Sequence, residues 1–246
     1  MLGLLHTSPV HVATFDALGA ELAPGLRLEH RVAEHVLERA RRDGPAAVAG
    51  DIGALVDDLV AAGATAVLCT CSTVGAVAEA VAACADRSDA PVPVLRVDRP
   101  MAAAAVAAGP APAEGGPATS GPRIAVVAAL SDTVGPTVAL IEEEAARSGR
   151  SVAVTVTVVD GAWERFEAGD REGYLAAVRE AAGRLADADV IVLAQASMAE
   201  VAEGWSGAVP LLCSPRPGLL AAAALASAGP SAAVAPSVPV PVAAGA

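Results

Sequence analysis

The chain has 246 residues, of which 54% are hydrophobic and only 2% aromatic, and its formal net charge is -12. This length can bury a sizeable core of Ala, Val and Leu, in one large domain or two small lobes. The acidic balance leaves no basic stripe to neutralise phosphates, so we expect no nucleic-acid partner. The sequence contains neither Lys nor Asn. The absence of Lys excludes pyridoxal phosphate Schiff bases, lysine aldol chemistry and P-loop lysines, which favours a mechanism without a cofactor.

Neither a targeting segment nor a metal site is predicted. The first residues, 1–7, lack the basic and long apolar regions of a secretory signal, and the uncharged segment after Pro217 is too weakly apolar and too interrupted by proline to span a membrane. The cysteines lack C-x-x-C spacing and the histidines are too far apart to show metal-ligand spacing. We therefore expect a cytoplasmic protein with reduced thiols and no bound metal. These residues are Cys69, Cys71, Cys84 and Cys213, and His6, His11, His30 and His35.

Short apolar runs alternate with Ala-rich helical stretches along the chain. Because the runs are continuous rather than alternating in polarity, they are typical of parallel strands covered by helices on both faces. Ligands of such sheets bind outside the carboxyl ends of the strands. The predicted strands are residues 2–6, 26–32, 66–69, 92–97, 124–130, 152–159, 190–193 and 209–213.

The two halves of the chain resemble each other. AVLCTCSTVGAVAEA followed by PVLRVDRPMAAAA corresponds to VIVLAQASMAEVAE followed by PLLCSPRPGLLAAA, which places Cys71 opposite Ala196, Ser72 opposite Ser197 and Pro100 opposite Pro217. Ala-rich segments can align by composition alone, but the matched prolines favour an internal duplication. We therefore predict an α/β fold of two similar lobes related by a pseudo-twofold axis. Each lobe is a four-stranded parallel sheet flanked by helices, with a cleft between them.

The predicted lobes comprise residues 1–98 and 99–217. Between the two sets of strands, residues 109–121 read GPAPAEGGPATSG, which indicates a linker or surface loop. A helix is expected over residues 218–228. Residues 229–246 are expected to be a disordered tail, because their Pro and Ala content offers too little burial to offset the entropy of ordering.

Cys71 is the main catalytic candidate. It follows an apolar strand and precedes Ser72, Thr73 and a helical stretch over residues 76–85. The unpaired N–H groups and positive dipole end of a helix N-terminus favour a thiolate, which is a usable base or nucleophile. The alternative is a small buried hydrophobic residue, the usual role of a free cysteine. The two neighbouring hydroxyls can cap the helix or bind a substrate carboxylate.

Further candidates follow other predicted strands. Hydroxyl groups at the ends of the first, fifth and seventh strands can hold a carboxylate, although each can also be an ordinary N-cap. His6 is placed to approach Cys71, whereas His30 and His35 fit surface or structural positions. The candidate substrate-binding residues are Thr7, Ser8, Ser72, Thr73, Ser131, Thr133 and Ser197.

The motif TCSTVG after a buried strand resembles the first cysteine motif of the aspartate/glutamate/hydantoin racemase superfamily. The two-lobed repeat is similar as well, and the likeness covers residues 1–228. The resemblance implies that the final helix, 218–228, crosses back onto the first lobe. It also implies racemisation by two cysteines on opposite faces of the substrate carbon, one removing the α-proton and the other returning a proton. The second motif reads LAQASMA, so Ala196 stands where the partner thiol is expected, and the chain resembles a divergent member lacking the second cysteine.

Three functions remain open. The first is a cofactor-independent isomerase or racemase-like enzyme that acts on a small carboxylate or amino acid derivative, with Cys71 as acid/base or nucleophile and His6 or His30 replacing the missing thiol. The second is a single-cysteine decarboxylase, another lyase or a cis–trans isomerase. The third is a small-acid-binding protein without catalytic activity. Homodimer formation is left open.

Overall fold

The computed structural model describes residues 1–84, 92–108 and 121–228. Within these ranges, eight strands form two separate four-stranded sheets in which every pairing is parallel. The first sheet has the order β2-β1-β3-β4 and the second has the equivalent order β6-β5-β7-β8. The strands are β1 (Leu2–His6), β2 (Leu28–Val32), β3 (Ala66–Cys69), β4 (Val94–Arg96), β5 (Arg123–Ala128), β6 (Ala153–Val158), β7 (Val190–Leu193) and β8 (Leu211–Leu212).

The two-lobed α/β prediction is confirmed. Each observed strand begins and ends within two residues of its predicted bounds. Register is equivalent in the two sheets: Leu2 of β1 lies opposite Leu28 of β2 and Ala66 of β3, and Ile124 of β5 lies opposite Val190 of β7. The equal strand order gives each lobe the same arrangement of carboxyl ends.

Helices cover the sheets and supply the loops at the strand ends. The helix expected over residues 76–85 begins earlier, at Ser72, because Cys71 already has the extended conformation of an N-cap, with φ -111° and ψ 119°. A membrane-spanning helix needs about 20 apolar residues, and none in the described part of the chain combines that length with that apolarity. The helices are α1 (Val10–Leu22), α2 (Glu34–Asp43), α3 (Ala49–Ala61), α4 (Ser72–Ala83), α5 (Arg99–Ala107), α6 (Val134–Arg147), α7 (Ala162–Glu167), α8 (Arg171–Gly183), α9 (Ala199–Glu203) and α10 (Pro215–Ala228), with 3-10 turns at Pro45–Val48, Ser131–Thr133 and Ala196–Met198.

Each sheet separates two aliphatic clusters, as the composition requires. In the first lobe, Leu5 packs with Ile52 of α3 on one face, and Leu4 packs with Phe15 of α1 and Leu219 of α10 on the other. Alternate residues of one strand thus serve opposite faces of the sheet. The second lobe has equivalent clusters beneath α5 and α6 and beneath α7, α8 and α9. Burial on both faces explains why the strands are continuous apolar runs.

The last helix, α10, packs on the first sheet although it follows the second in the chain. A Cβ at Gly218 would lie 2.4 Å from the carbonyl oxygen of Val97, so only glycine allows this close approach of helix to strand end. The helix starts at Pro215, three residues before the predicted start, and proline is tolerated in a first helical turn. The proposed lobe boundaries stay predictions, and residues 109–120 of the predicted linker and the predicted tail 229–246 lie outside the described residues.

Two arginines connect the lobes beside the cleft. Arg99 of α5 donates hydrogen bonds to Glu79 of α4 and to Glu143 and Glu144 of α6. Arg96, which is 2% exposed, forms a two-pronged ion pair with the fully buried Asp98 at 2.6 and 2.8 Å. The same guanidinium also donates to two backbone carbonyl oxygens, one in the first turn of a helix of each lobe. These are the carbonyl of Ser72 in α4, at 3.3 Å, and that of Pro136 in α6, at 3.4 Å.

Candidate active site

The carboxyl ends of the central strands of both lobes converge on one cleft. In the order β2-β1-β3-β4, the chain leaves β1 and β3 toward opposite edges of the sheet, which opens a crevice between their carboxyl ends. β5 and β7 form the same crevice in the second lobe. Residues from the two crevices line a shared cleft of about 90 Å³. The duplicated topology therefore places both strand-end motifs around one space.

The cleft brings together nearly all the predicted site residues. Ala196, the counterpart of Cys71 in the repeat, lines it as well, so the two repeat positions face the same space. Ser131 is exposed and does not line the cleft, because the 3-10 turn at Ser131–Thr133 buries Thr133 instead. The predicted residues that line the cleft are Cys71, Thr7, Ser8, Ser72, Thr73, Thr133 and Ser197.

Cys71 is partly exposed and occupies the N-cap of α4 without making a side-chain capping bond. Its sulfur is therefore free for chemistry beside the first N–H groups of a 12-residue helix. Cys69 is fully buried and its thiol contacts the carbonyl oxygen of Cys71 at 3.7 Å. Burial raises the pKa of the thiols of both Cys69 and Cys213 above the usual value, which keeps them protonated. Cys84 is exposed at the end of α4.

Some of the cleft hydroxyls donate to the protein and others do not. Ser72 Oγ donates to the carbonyl of Ala194 in the other lobe at 3.4 Å, and Thr133 Oγ1 donates to the carbonyl of Leu130 at 2.8 Å. Within the described residues, the hydroxyls of Thr7, Ser8 and Thr73 have no hydrogen-bond partner, so they are available to a ligand oxygen. A third hydrogen bond, 2.8 Å long, joins Ser197 Oγ to the hydroxyl of Tyr174.

Gln195 is a site residue that the sequence did not single out. Its Oε1 accepts the N–H of Ala129 at 2.7 Å, which fixes the orientation of the amide. Its Nε2 is buried and has no partner within the described residues, although the side chain lines the cleft. A buried donor without an acceptor is costly and rare. The signal for it was the repeat itself, since Gln195 precedes Ala196 as Thr70 precedes Cys71.

His6 lies behind the cleft rather than in it. It is fully buried, with Nδ1 2.8 Å from Thr70 Oγ1 and Nε2 2.9 Å from His30 Nδ1. The chain of contacts continues from His30 Nε2 to Asp16 Oδ1 at 3.1 Å. Burial, together with smaller contributions from His30 and His11, lowers the pKa of His6 to about 3. Of the hydrogen-bonded residues Thr70, His6, His30 and Asp16, only Thr70 lines the cleft.

His11, in the first turn of α1, is the histidine that lines the cleft. Burial lowers the pKa of its imidazole, so the ring is neutral at neutral pH. Arg41 of α2 also lines the cleft and forms an ion pair with Asp132 at 3.3 Å. The sequence offered one signal for His11, its position three residues after the candidate Ser8. Which side of the helix faces the cleft is set by tertiary packing.

A second, larger cavity of about 550 Å³ adjoins the cleft. It lies between α1 and the start of α10 on one side and α8 and α9 on the other. Five residues line both spaces, so the two are continuous. These are Val10, His11, Phe166, Ala196 and Ser197. Among the described residues there is no cluster of three or more His, Cys, Asp or Glu side chains able to hold a metal ion.

Comparison with known proteins places the fold. No family model matches the chain, and no curated protein matches it in sequence. A candidate Asp/Glu racemase from Yersinia pestis is similar in structure, with a TM-score of 0.64 and 15% identity over 92% of this chain and 98% of that one. An aspartate racemase homologue from Pyrococcus horikoshii has a TM-score of 0.63 and 12% identity over the same shares, 92% and 98%.

A mutant of arylmalonate decarboxylase is also similar, with a TM-score of 0.58 and 20% identity over 93% of this chain and 94% of that one. These identities are too low to transfer an activity, but the coverage of both chains is nearly complete. The likeness expected from the TCSTVG motif and the repeat is confirmed at the level of architecture. The chain has the two-lobed α/β fold shared by Asp/Glu racemases and arylmalonate decarboxylase.

Proposed function

We propose that this chain is a cofactor-independent, racemase-like enzyme that moves a proton at the α-carbon of a small carboxylate, with Cys71 as one acid/base. The observation that supports this best is the position of Cys71, at a helix N-terminus in the interlobe cleft with no capping bond. The chain also shares its fold with a candidate Asp/Glu racemase and with an aspartate racemase homologue.

The cleft offers groups to hold the substrate carboxylate. The unpartnered hydroxyls of Thr7, Ser8 and Thr73 and the first N–H groups of α4 can donate to its oxygens. Arg41 adds positive charge, which Asp132 partly offsets. When the α-proton leaves, negative charge develops on a carboxylate oxygen, and a fixed donor there stabilises the transition state. Gln195 Nε2 is such a donor, held in place by the bond from Ala129 to Oε1.

Ala196 cannot exchange a proton, so the second acid/base must be another residue of the cleft. We propose His11, whose lowered pKa keeps a neutral imidazole ready to act as a base. In one direction, His11 takes the α-proton and the thiol of Cys71 gives its proton to the α-carbon, which leaves an imidazolium and a thiolate. The reverse direction starts from that ion pair. Each turnover conserves protons, because one is taken and one is given.

A single-cysteine decarboxylase is the second candidate, favoured by Ala196 on the facing lobe. A substituted malonate would lose carbon dioxide to give an enediolate. Cys71 would then protonate the α-carbon from one side, and the resulting thiolate would regain its proton from water. This route needs no base opposite the cysteine. The two candidates therefore differ in their dependence on His11.

The test is incubation with amino acids, hydantoins, maleate and substituted malonates in deuterated water. We expect incorporation of deuterium at the α-carbon in the wild type, a loss of at least about 100-fold in Cys71→Ala, and no loss in Cys84→Ala, which alters an exposed thiol. Inversion that His11→Asn abolishes supports racemisation, and carbon dioxide release that survives in His11→Asn supports decarboxylation. Deuterium incorporation that persists in Cys71→Ala refutes the proposal, and binding without turnover favours a non-catalytic protein.

The cytoplasmic location stays a prediction from the sequence. Homodimer formation, also raised from the sequence, stays open.

A further inference from the structure

The cleft and the cavity beside it differ greatly in size. The cleft of about 90 Å³ holds Cys71 and the hydroxyls of Thr7, Ser8 and Thr73, none of which lines the adjoining cavity of about 550 Å³. Pockets for whole small ligands usually have about 300–1,000 Å³. A substrate whose reacting carbon lies at Cys71 therefore has room for a large group only in the cavity, past the shared wall of His11 and Ala196.

Much of the cavity wall is apolar. Val10 and Leu18 of α1 lie on one side, Phe166 at the end of α7 lies on another, and Pro215 begins α10. Ala17 of α1 lines the cavity with a small exposed side chain. Such a wall gains free energy by removing apolar ligand surface from water.

Both guanidinium groups of the cavity are already paired with carboxylates. Both terminal nitrogens of Arg216 bind the carboxylate of Glu21, at 2.8 and 2.9 Å. Arg171 Nε donates to Glu200 at 3.2 Å. Glu203 adds a carboxylate that forms no ion pair within the described residues.

The cavity therefore has three carboxylates and two guanidinium groups. The imidazole of His11 adds no positive charge at neutral pH, because burial lowers its pKa. A carboxylate on the substrate's side chain would meet a net negative wall and find no unengaged cation. The side chains of aspartate and glutamate end in such a carboxylate. An uncharged or positively charged group meets no such penalty.

We propose that the cavity binds a large, uncharged or cationic substituent of the substrate, so that the enzyme acts on bulky 2-substituted carboxylates rather than on acidic amino acids. This inference rests on the proposed function for the identity of the reacting carbon. The binding preference itself follows from the cavity and can be measured without turnover.

The test compares two ligands that differ in one group. 3-Phenylpropionate and succinate share a carboxylate and two methylenes, and the first has a phenyl ring where the second has another carboxylate. Titration by calorimetry or ligand-observed NMR gives both dissociation constants. Ala17→Trp fills the cavity from α1, and Ala20→Trp places the same bulk on an exposed position of that helix outside the cavity.

We expect 3-phenylpropionate to bind the wild type at least tenfold more tightly than succinate. Ala17→Trp should weaken 3-phenylpropionate at least tenfold, and Ala20→Trp should leave it within twofold. The inference is overturned if succinate binds as tightly, if Ala17→Trp has no effect, or if neither ligand binds. Deuterium exchange with phenylalanine and aspartate is measured separately: no Cys71-dependent exchange with any substrate refutes the proposed function, while the binding data still judge the cavity.

Discussion

The buried ion pair of Arg96 and Asp98 lies beside the contact between the two lobes, and its contribution to stability can be tested. Asp98→Asn removes the negative charge but keeps the size of a side chain that is fully buried. Arg96, 2% exposed, is then left charged without its partner, and breaking a buried pair from one side costs about 3–5 kcal/mol. One kcal/mol corresponds to about 2–4 °C for a protein of this size, so we expect the melting temperature to fall by roughly 6–20 °C.

The matched control is Asp189→Asn, which breaks an exposed pair with Arg123. Those side chains are 59% and 41% exposed, so solvent screens the pair and the expected loss of stability is small. Replacing both buried partners, Arg96→Met with Asp98→Leu, should recover part of the loss, because no unpaired charge remains. Urea unfolding followed by circular dichroism gives all four free energies. If Asp98→Asn loses no more than Asp189→Asn, then burial does not decide the strength of this pair.

Three further predictions concern other buried groups. Burial lowers the pKa of His6 to about 3, so below about pH 6.5 this imidazole gains a proton in the unfolded chain but not in the folded one. The free energy of unfolding should therefore fall as the pH falls, by up to about 1.4 kcal/mol per pH unit. Equal slopes of this free energy against pH in urea titrations of His6→Gln and wild type would contradict the prediction. Gly218→Ala brings a Cβ to 2.4 Å from a backbone oxygen and should cost about 1–3 kcal/mol in thermal or urea unfolding, whereas Gly183→Ala, which meets open space, should cost nothing. Gln195→Glu keeps an oxygen to accept the Ala129 N–H but replaces the unpartnered N–H donor with a second oxygen. The dissociation constant of 3-phenylpropionate should therefore rise at least tenfold. An unchanged dissociation constant would argue against Gln195 as a hydrogen-bond donor to the ligand.

The strand positions and the two parallel sheets were accessible from the sequence because burial on both faces leaves a local pattern. Strands buried on both faces must be continuous apolar runs, and β3 and β7 are fully buried along their length. The repeat then gave both lobes the same arrangement, and the convergence of strand ends at a parallel sheet edge gathered Cys71, Thr7 and Ser197.

The rest of the site depends on packing between distant segments. His11 lines the cleft because of the angle at which α1 packs beside α10, which no local pattern records. The role of Gln195 depends on its orientation, which the bond from the Ala129 N–H to Oε1 fixes so that Nε2 is left without a partner. Ser131 was expected in the site with Thr133, but the 3-10 turn that they share buries Thr133 and leaves Ser131 exposed.

Arg99 holds Glu79 of α4 close to Glu143 and Glu144 of α6. These carboxylates would otherwise repel one another across the boundary between the lobes, so a single guanidinium sets how closely α4 and α6 approach.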